Sequence, residues 1–186
     1  MSDEPTYLKG QLLLDGGSLS GSFFNRAVVL ICNHDADGAF GLTLNHAVSD
    51  VVDDVLDADL PEKIKDLPIF LGGPVQPGAL SFLHADDFLP DANVMPGLSL
   101  DHSLDTLMKL GDSWSTTRKI KIFAGYAGWS PGQLEGEMER ESWLTLPATV
   151  DLVFNTKPEA LWKTIISSMG PEYRLMADSP DDLSRN

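Results

Sequence analysis

The chain has 186 residues, 42% of them hydrophobic, and a formal net charge of −15 with a pI near 4.4. That length and apolar content suit one domain with a substantial core. The charge excludes a surface built to neutralise phosphates, because nucleic-acid affinity comes from clustered Lys and Arg that release counterions.

The amino terminus, Met1-Ser-Asp-Glu-Pro-Thr6, is acidic and lacks the apolar stretch of a signal peptide. Gln11 to Leu14 reads as a short strand closed by the turn Asp15-Gly16-Gly17. Phe23-Phe24-Asn25-Arg26 then leads into Ala27-Val-Val-Leu-Ile-Cys32, an apolar run far too short for a bilayer and right for a buried strand. A guanidinium at the mouth of such a strand is either paired to a carboxylate or aimed at a ligand, which makes Arg26 a candidate site residue. The single cysteine, Cys32, cannot form an intramolecular disulfide and fits a reducing cytoplasm.

A hairpin follows, with Ala27–Asn33 and Ala39–Asn45 joined through His34-Asp-Ala-Asp-Gly38. Its turn fails as a calcium loop, because the position that needs a bidentate glutamate holds His46. His34 and His46, brought near each other by the hairpin, lack a clear third zinc ligand, so no metal is expected. From Ser49, the spacing of Val51, Val52, Val55, Leu56 and Leu60 predicts a helix with an acidic outer face. Pro68–Leu71 reads as a strand ending in the tight turn Gly72-Gly73-Pro74, and Ala79–His84 as its return. Phe88–Leu100, with two prolines and a glycine, reads as an irregular connection. A helix is expected over Ser103–Leu110, burying Leu104, Leu107 and Met108 and stopping at Gly111.

Lys119-Ile-Lys-Ile-Phe123 alternates basic and apolar residues, as an edge strand with a solvated Lys119–Lys121 face would. Next comes Gly125-Tyr-Ala-Gly-Trp-Ser-Pro-Gly-Gln-Leu-Glu-Gly-Glu-Met-Glu-Arg140. Its spacing predicts a glycine turn bearing Tyr126 and Trp129, then a helix with a Ser130/Gln133 capping box and Pro131 in the first turn. The segment Gly128-Trp-Ser-Pro-Gly132 matches the nucleophile elbow Gly-x-Ser-x-Gly. Two facts defeat that match. Pro131 has no N–H for an oxyanion hole, and all 4 histidines precede the serine. On the helix, Leu134 and Met138 share an apolar face, and Gln133, Glu137 and Arg140 a polar one where Glu137 and Arg140 can pair. Large aromatics on a turn either plug the core edge or form a recognition surface. Trp143–Phe154 reads as an edge strand broken at Pro147, and Pro158 opens a final helix that buries Leu161, Trp162, Ile165, Ile166 and Met169. These elements make residues 1–170 one domain, and residues 171–186 are expected to form a flexible tail.

Three of these segments, His34–Asn45, Phe70-Leu-Gly-Gly-Pro-Val75 and Gly125–Arg140, occur in the order and spacing of the YqgE/AlgH family of small bacterial proteins. The chain resembles that family over residues 8 to 170. It departs in one segment, where family members carry a proline and an acidic residue and this chain has Asp15-Gly16-Gly17 and Ser20-Gly21-Ser22. The strand pattern by itself indicates an α+β fold. The resemblance implies in addition a branched, mostly antiparallel sheet with a small barrel-like portion and surrounding helices. It carries the label of a transcriptional regulator and no reaction.

Two functional classes remain open. One is a cytoplasmic regulatory or adaptor protein acting through an unknown protein partner, without direct nucleic-acid or membrane contact. The other is a small-molecule sensor or enzyme with a site near residues 125–140. No catalytic set and no cofactor can be assigned, and the leaning is away from an enzyme. The candidate ligand or partner residues are Arg26, Tyr126, Trp129, Gln133, Glu137 and Arg140.

Overall fold

The computed structural model describes residues 6–180. Among these residues, nine strands form one sheet whose main path runs β4 (Ala47–Val51), β5 (Pro68–Leu71), β8 (Lys119–Trp129), β3 (Gly38–Thr43), β2 (Val28–Asp35), β1 (Gln11–Asp15) and β9 (Trp143–Pro147). β6 (Val75–Ala85) branches from β8 and carries β7 (Leu98–Asp101). All pairings are antiparallel except β5 with β8. The fold is thus α+β with a branched sheet, as expected. The sheet is not closed, so its barrel-like portion is an open branch.

β2 explains why an unbroken apolar run was needed. It lies between β1 and β3, and both its faces are covered. Val28, Leu30 and Cys32 join the main core, which is packed by α5 (Val150–Phe154), α6 (Pro158–Ser168) and α7 (Pro171–Asp178). Val29 and Ile31 face a second cluster with Trp129, Leu134 and Trp143. A third cluster, around Ile69, Phe82, Leu107 and Ile122, fills the lobe at the branch.

β8 is the hub, and it departs most from expectation. Rather than stopping at Gly125, it runs on to Trp129, pairing with β5 and β6 in its first part and with β3 in its last. Gly125, at φ 70, supplies the kink between the two parts. The Gly72-Gly73 pair, read as a simple turn, crosses this point. A Cβ on Gly73 would lie 2.0 Å from the carbonyl carbon of Tyr126. Because β8 is central, Lys121 is buried rather than solvated. Its Nζ donates to the Val153 carbonyl at 3.1 Å and sits 4.2 Å from the Phe70 ring centroid.

Other boundaries shift for local reasons. The helix expected from Ser49 is a single turn, α1 (Val52–Val55), because the valine-rich segment before it pairs with β5 as β4. The linker after Pro61 holds another short helix, α2 (Glu62–Lys65). α3 (Leu104–Asp112) starts at the Ser103 cap but runs through Gly111, whose missing side chain admits Pro61 and Ile64; Leu104 lies exposed. His84 is buried on β6, where burial lowers its pKa, and Asp86 accepts from the Thr117 hydroxyl and pairs with Arg118 at 3.2 Å.

The strand expected over Trp143–Phe154 ends at Pro147, and Thr149 caps α5 by accepting from the Leu152 N–H at 3.1 Å. The expected flexible tail is helical over Pro171–Asp178. Pro171 opens α7, while Ala177 is buried in the main core and Tyr173 and Met176 pack against it. The rest of that tail, residues 181–186, lies outside the described residues. No helix among the described residues is long and apolar enough to cross a membrane.

Candidate functional site

The end of β8 and the start of α4 (Gln133–Glu139) enclose a groove of about 360 Å³. Its floor is aromatic. Trp129 ends β8 and Trp143 begins β9; their ring centroids are 6.3 Å apart at 71°. Phe24, on the segment entering β2, lies 6.4 Å from Trp129 and 5.5 Å from Trp143. Each indole is nearly buried, and each N–H donates to the same oxygen. Glu137 Oε2 accepts from Trp129 at 2.9 Å and from Trp143 at 2.8 Å, while Oε1 accepts from Gln133 Nε2 at 3.1 Å. The carboxylate therefore ties two strands and a helix together.

α4 is positioned differently from the expected capping box. Gly132, at φ 75, is its N-cap, so Pro131 lies in a preceding turn. Half of the box survives, since Gln133 Oε1 accepts from the Ser130 N–H at 3.0 Å. Glu137 serves the indoles rather than the expected pairing with Arg140, which is exposed at the groove rim. Leu19, Pro74 and Val75 supply apolar wall, and Ser22 and Ser142 polar edge.

Four sequence candidates, Trp129, Gln133, Glu137 and Arg140, thus come together. Tyr126 does not join them. It is three residues before Trp129 on β8 and projects to the opposite face, stacked on Phe40 at 4.7 Å and packed on the main core. Arg26 also lies elsewhere, with its guanidinium 4.9 Å from the Trp162 ring centroid and its Nη2 donating to the Ser179 carbonyl.

Sequence reasoning missed Trp143 and Phe24 as partners in the groove. Their joining depends on β9 pairing with β1 across most of the chain, which no local spacing reports. It also missed the arrangement at His34, whose Nδ1 accepts from the Leu8 N–H at 3.0 Å and whose Nε2 lies 3.2 Å from Glu135 Oε1. His46 instead packs against Phe23, 4.7 Å between ring centroids, so the two histidines have different surroundings. Among the described residues, no group of three or more His, Cys, Asp or Glu is placed to hold a metal ion.

Comparison with known proteins agrees with this architecture. The AlgH-like family model matches residues 12–174. A UPF0301 protein of Chlorobium luteolum is 37% identical over 175 residues, covering 92% of this chain and 91% of its own. One from Sphingopyxis alaskensis is 35% identical over 181 residues, covering 95% and 96%. The solution structure of the AlgH protein from Pseudomonas aeruginosa superimposes with a TM-score of 0.74 at 28% identity, covering 97% of this chain and 98% of that one. A crystal structure from Corynebacterium diphtheriae, at 21% identity and a TM-score of 0.77, shares the fold over 96% of this chain and 95% of its own. The family match over nearly the whole fold and the identity to these relatives lead to one conclusion: the chain belongs to the AlgH-like family.

Proposed function

We propose that the protein is a cytoplasmic regulatory or adaptor protein whose groove beside α4 receives a segment of a protein partner. The observation that carries this reading is the bonding of Glu137. Its carboxylate is engaged by Trp129, Trp143 and Gln133, so the polar centre of the groove fixes its floor instead of offering a base to a nucleophile. What the groove presents outward is apolar wall, a preorganised aromatic floor and an arginine at the rim. Buried aromatic anchors with arginine at the edge are the composition of protein-contact hot spots. The partner chemistry that fits is an apolar side chain next to a carboxylate that can reach Arg140.

Charge supports action without direct nucleic-acid contact. The compact basic group Arg118, Lys119 and Lys121 is engaged internally, by Asp86, Asn155 and the Val153 carbonyl respectively. The buried thiol of Cys32 agrees with a reducing compartment.

The test is site-specific photo-crosslinking in native cells, with the crosslinker at exposed Gln133. The expected result is a dominant protein adduct that Arg140→Glu abolishes and that a crosslinker at exposed Thr116 does not give. Absence of any adduct dependent on Arg140 would overturn the reading.

A further inference from the structure

A lone apolar side chain on a protein surface is ordinary. Phe88 is set apart by how far it stands out and by how its loop is held. It is 93% exposed, the most of any large apolar side chain among the described residues. Its loop, between β6 and β7, is pinned at both ends. Asp86 accepts from the Asp87 N–H at 2.9 Å and from the hydroxyls of Thr117 and Ser115, and it pairs with Arg118 at 3.2 Å. Asn93 exchanges two bonds with the backbone of Leu100, each of 2.8 Å. Between these anchors Pro90 fixes its own φ, and Asp91 stands in the left-handed region at φ 55. The ring is therefore presented in a fixed place, and covering it costs little ordering.

This loop carries the chemistry that the groove beside α4 takes. The groove has an aromatic floor of Trp129, Trp143 and Phe24 and, at its rim, Arg140, whose guanidinium has no ion pair among the described residues. Phe88 supplies a ring for the floor, and the exposed Asp87 beside it a carboxylate for the rim. Leu175, at 77% exposure the next most prominent apolar side chain, follows Arg174 and brings the wrong charge. A chain cannot fill its own groove in this way. Ala85, where the loop leaves β6, pairs with Lys119 at the start of β8, whereas Trp129 ends that strand. The length of strand between them is about 30 Å.

We infer that the groove of one copy receives Phe88 of a second copy, whose Asp87 carboxylate meets Arg140 of the first. This pairing rests on the reading of the groove as a receiver of apolar and acidic side chains, and Phe88 is what fills it while no other partner is bound. Because loop and groove lie at opposite ends of β8, the contact is heterologous. A pair of copies keeps one loop and one groove unused, so assembly continues head to tail beyond a dimer. A partner segment that enters the groove displaces the loop and disperses the assembly.

The test is sedimentation velocity of the full chain at pH 7 and low ionic strength over a range of concentrations, for wild type, Phe88→Ser and Arg140→Glu. Both substitutions are at exposed side chains, and near-UV circular dichroism checks that each variant is folded. The wild-type sedimentation coefficient is expected to rise with concentration past that of a dimer, and each variant to weaken self-association about tenfold or more. Mixing the two variants is the decisive arm. Phe88→Ser keeps its groove and Arg140→Glu keeps its loop, so together they should form a dimer and stop there. A wild type that stays monomeric up to about 1 mM overturns the inference. Self-association that survives both substitutions, or a mixture that forms no dimer, overturns it as well. A monomeric wild type that still gives the Arg140-dependent adduct in cells removes only the second copy as occupant, whereas loss of both results removes the groove as a docking site.

Discussion

Trp129 and Glu137 are eight residues apart and joined by an indole N–H to Oε2 bond of 2.9 Å, and the same oxygen takes the Trp143 N–H at 2.8 Å. One carboxylate oxygen thus satisfies two nearly buried donors from different strands. Leaving such a donor unpaired costs about 1–3 kcal/mol. Glu137→Ala is therefore expected to lower the unfolding free energy by about 2–4 kcal/mol, which urea denaturation will read as a lower midpoint. Glu137→Gln keeps an acceptor and should lose less than about 1.5 kcal/mol. Equal losses in the two variants would show that Glu137 acts through its charge and not as an acceptor for the indoles.

Asp15 does for the loop before β2 what Glu137 does for the groove. Its side chain is buried, with Oδ1 accepting from the N–H groups of Gly17 and Leu19 at 2.8 and 3.2 Å, and Oδ2 from that of Arg26 at 2.8 Å. An amide in its place turns one acceptor into a donor facing a donor. Asp15→Asn should cost about 2 kcal/mol and speed hydrogen exchange at Arg26 or Gly17. Wild-type exchange at both amides in the variant would contradict this account.

Local signals and long-range pairing account for what could and could not be read in the sequence. The β2–β3 hairpin, β1, β5 and α6 follow from apolar runs bounded by turn residues, which act over a few positions. Lys121 was misplaced because alternating basic and apolar residues look the same on an edge strand and on a central strand whose outer face is covered. Only the pairing of β8 with both β5 and β6, together with the cover from α5, distinguishes them. The groove was half legible for the same reason. Trp129, Gln133, Glu137 and Arg140 lie within twelve residues of sequence, while Phe24 and Trp143 arrive through the strand order.

Cys32 offers a direct check on core integrity. It is buried on β2, its thiol is pushed well above the ordinary range by burial, and its Sγ lies 3.8 Å from the Leu30 carbonyl oxygen. Because the thiolate is the reactive species, native protein should resist a thiol reagent such as iodoacetamide, with labelling limited by opening of the sheet. Labelling at the rate of a free thiol at pH 8 would place Cys32 at an accessible surface and contradict the covered β2.

Lys121 makes stability depend on pH in a direction opposite to that of an ion-paired lysine, whose contribution is lost as pH rises. Burial lowers its pKa from 10.5 to about 8. Below pH 8 both folded and unfolded chains carry the charge, and the folded state bears the cost of its burial. Between pH 8 and 10.5 the unfolded chain binds the extra proton, so this residue makes the protein more stable as pH rises through that window. The full effect is on the order of 3 kcal/mol. Lys121→Met keeps the length of the side chain and removes the titration. The stability of the Met variant relative to wild type is therefore expected to be greatest at pH 7 and to fall by about 2–3 kcal/mol at pH 10. A constant difference across that range, measured by urea denaturation, would show that the ammonium of Lys121 is solvated and that β8 is not covered by α5 at this point.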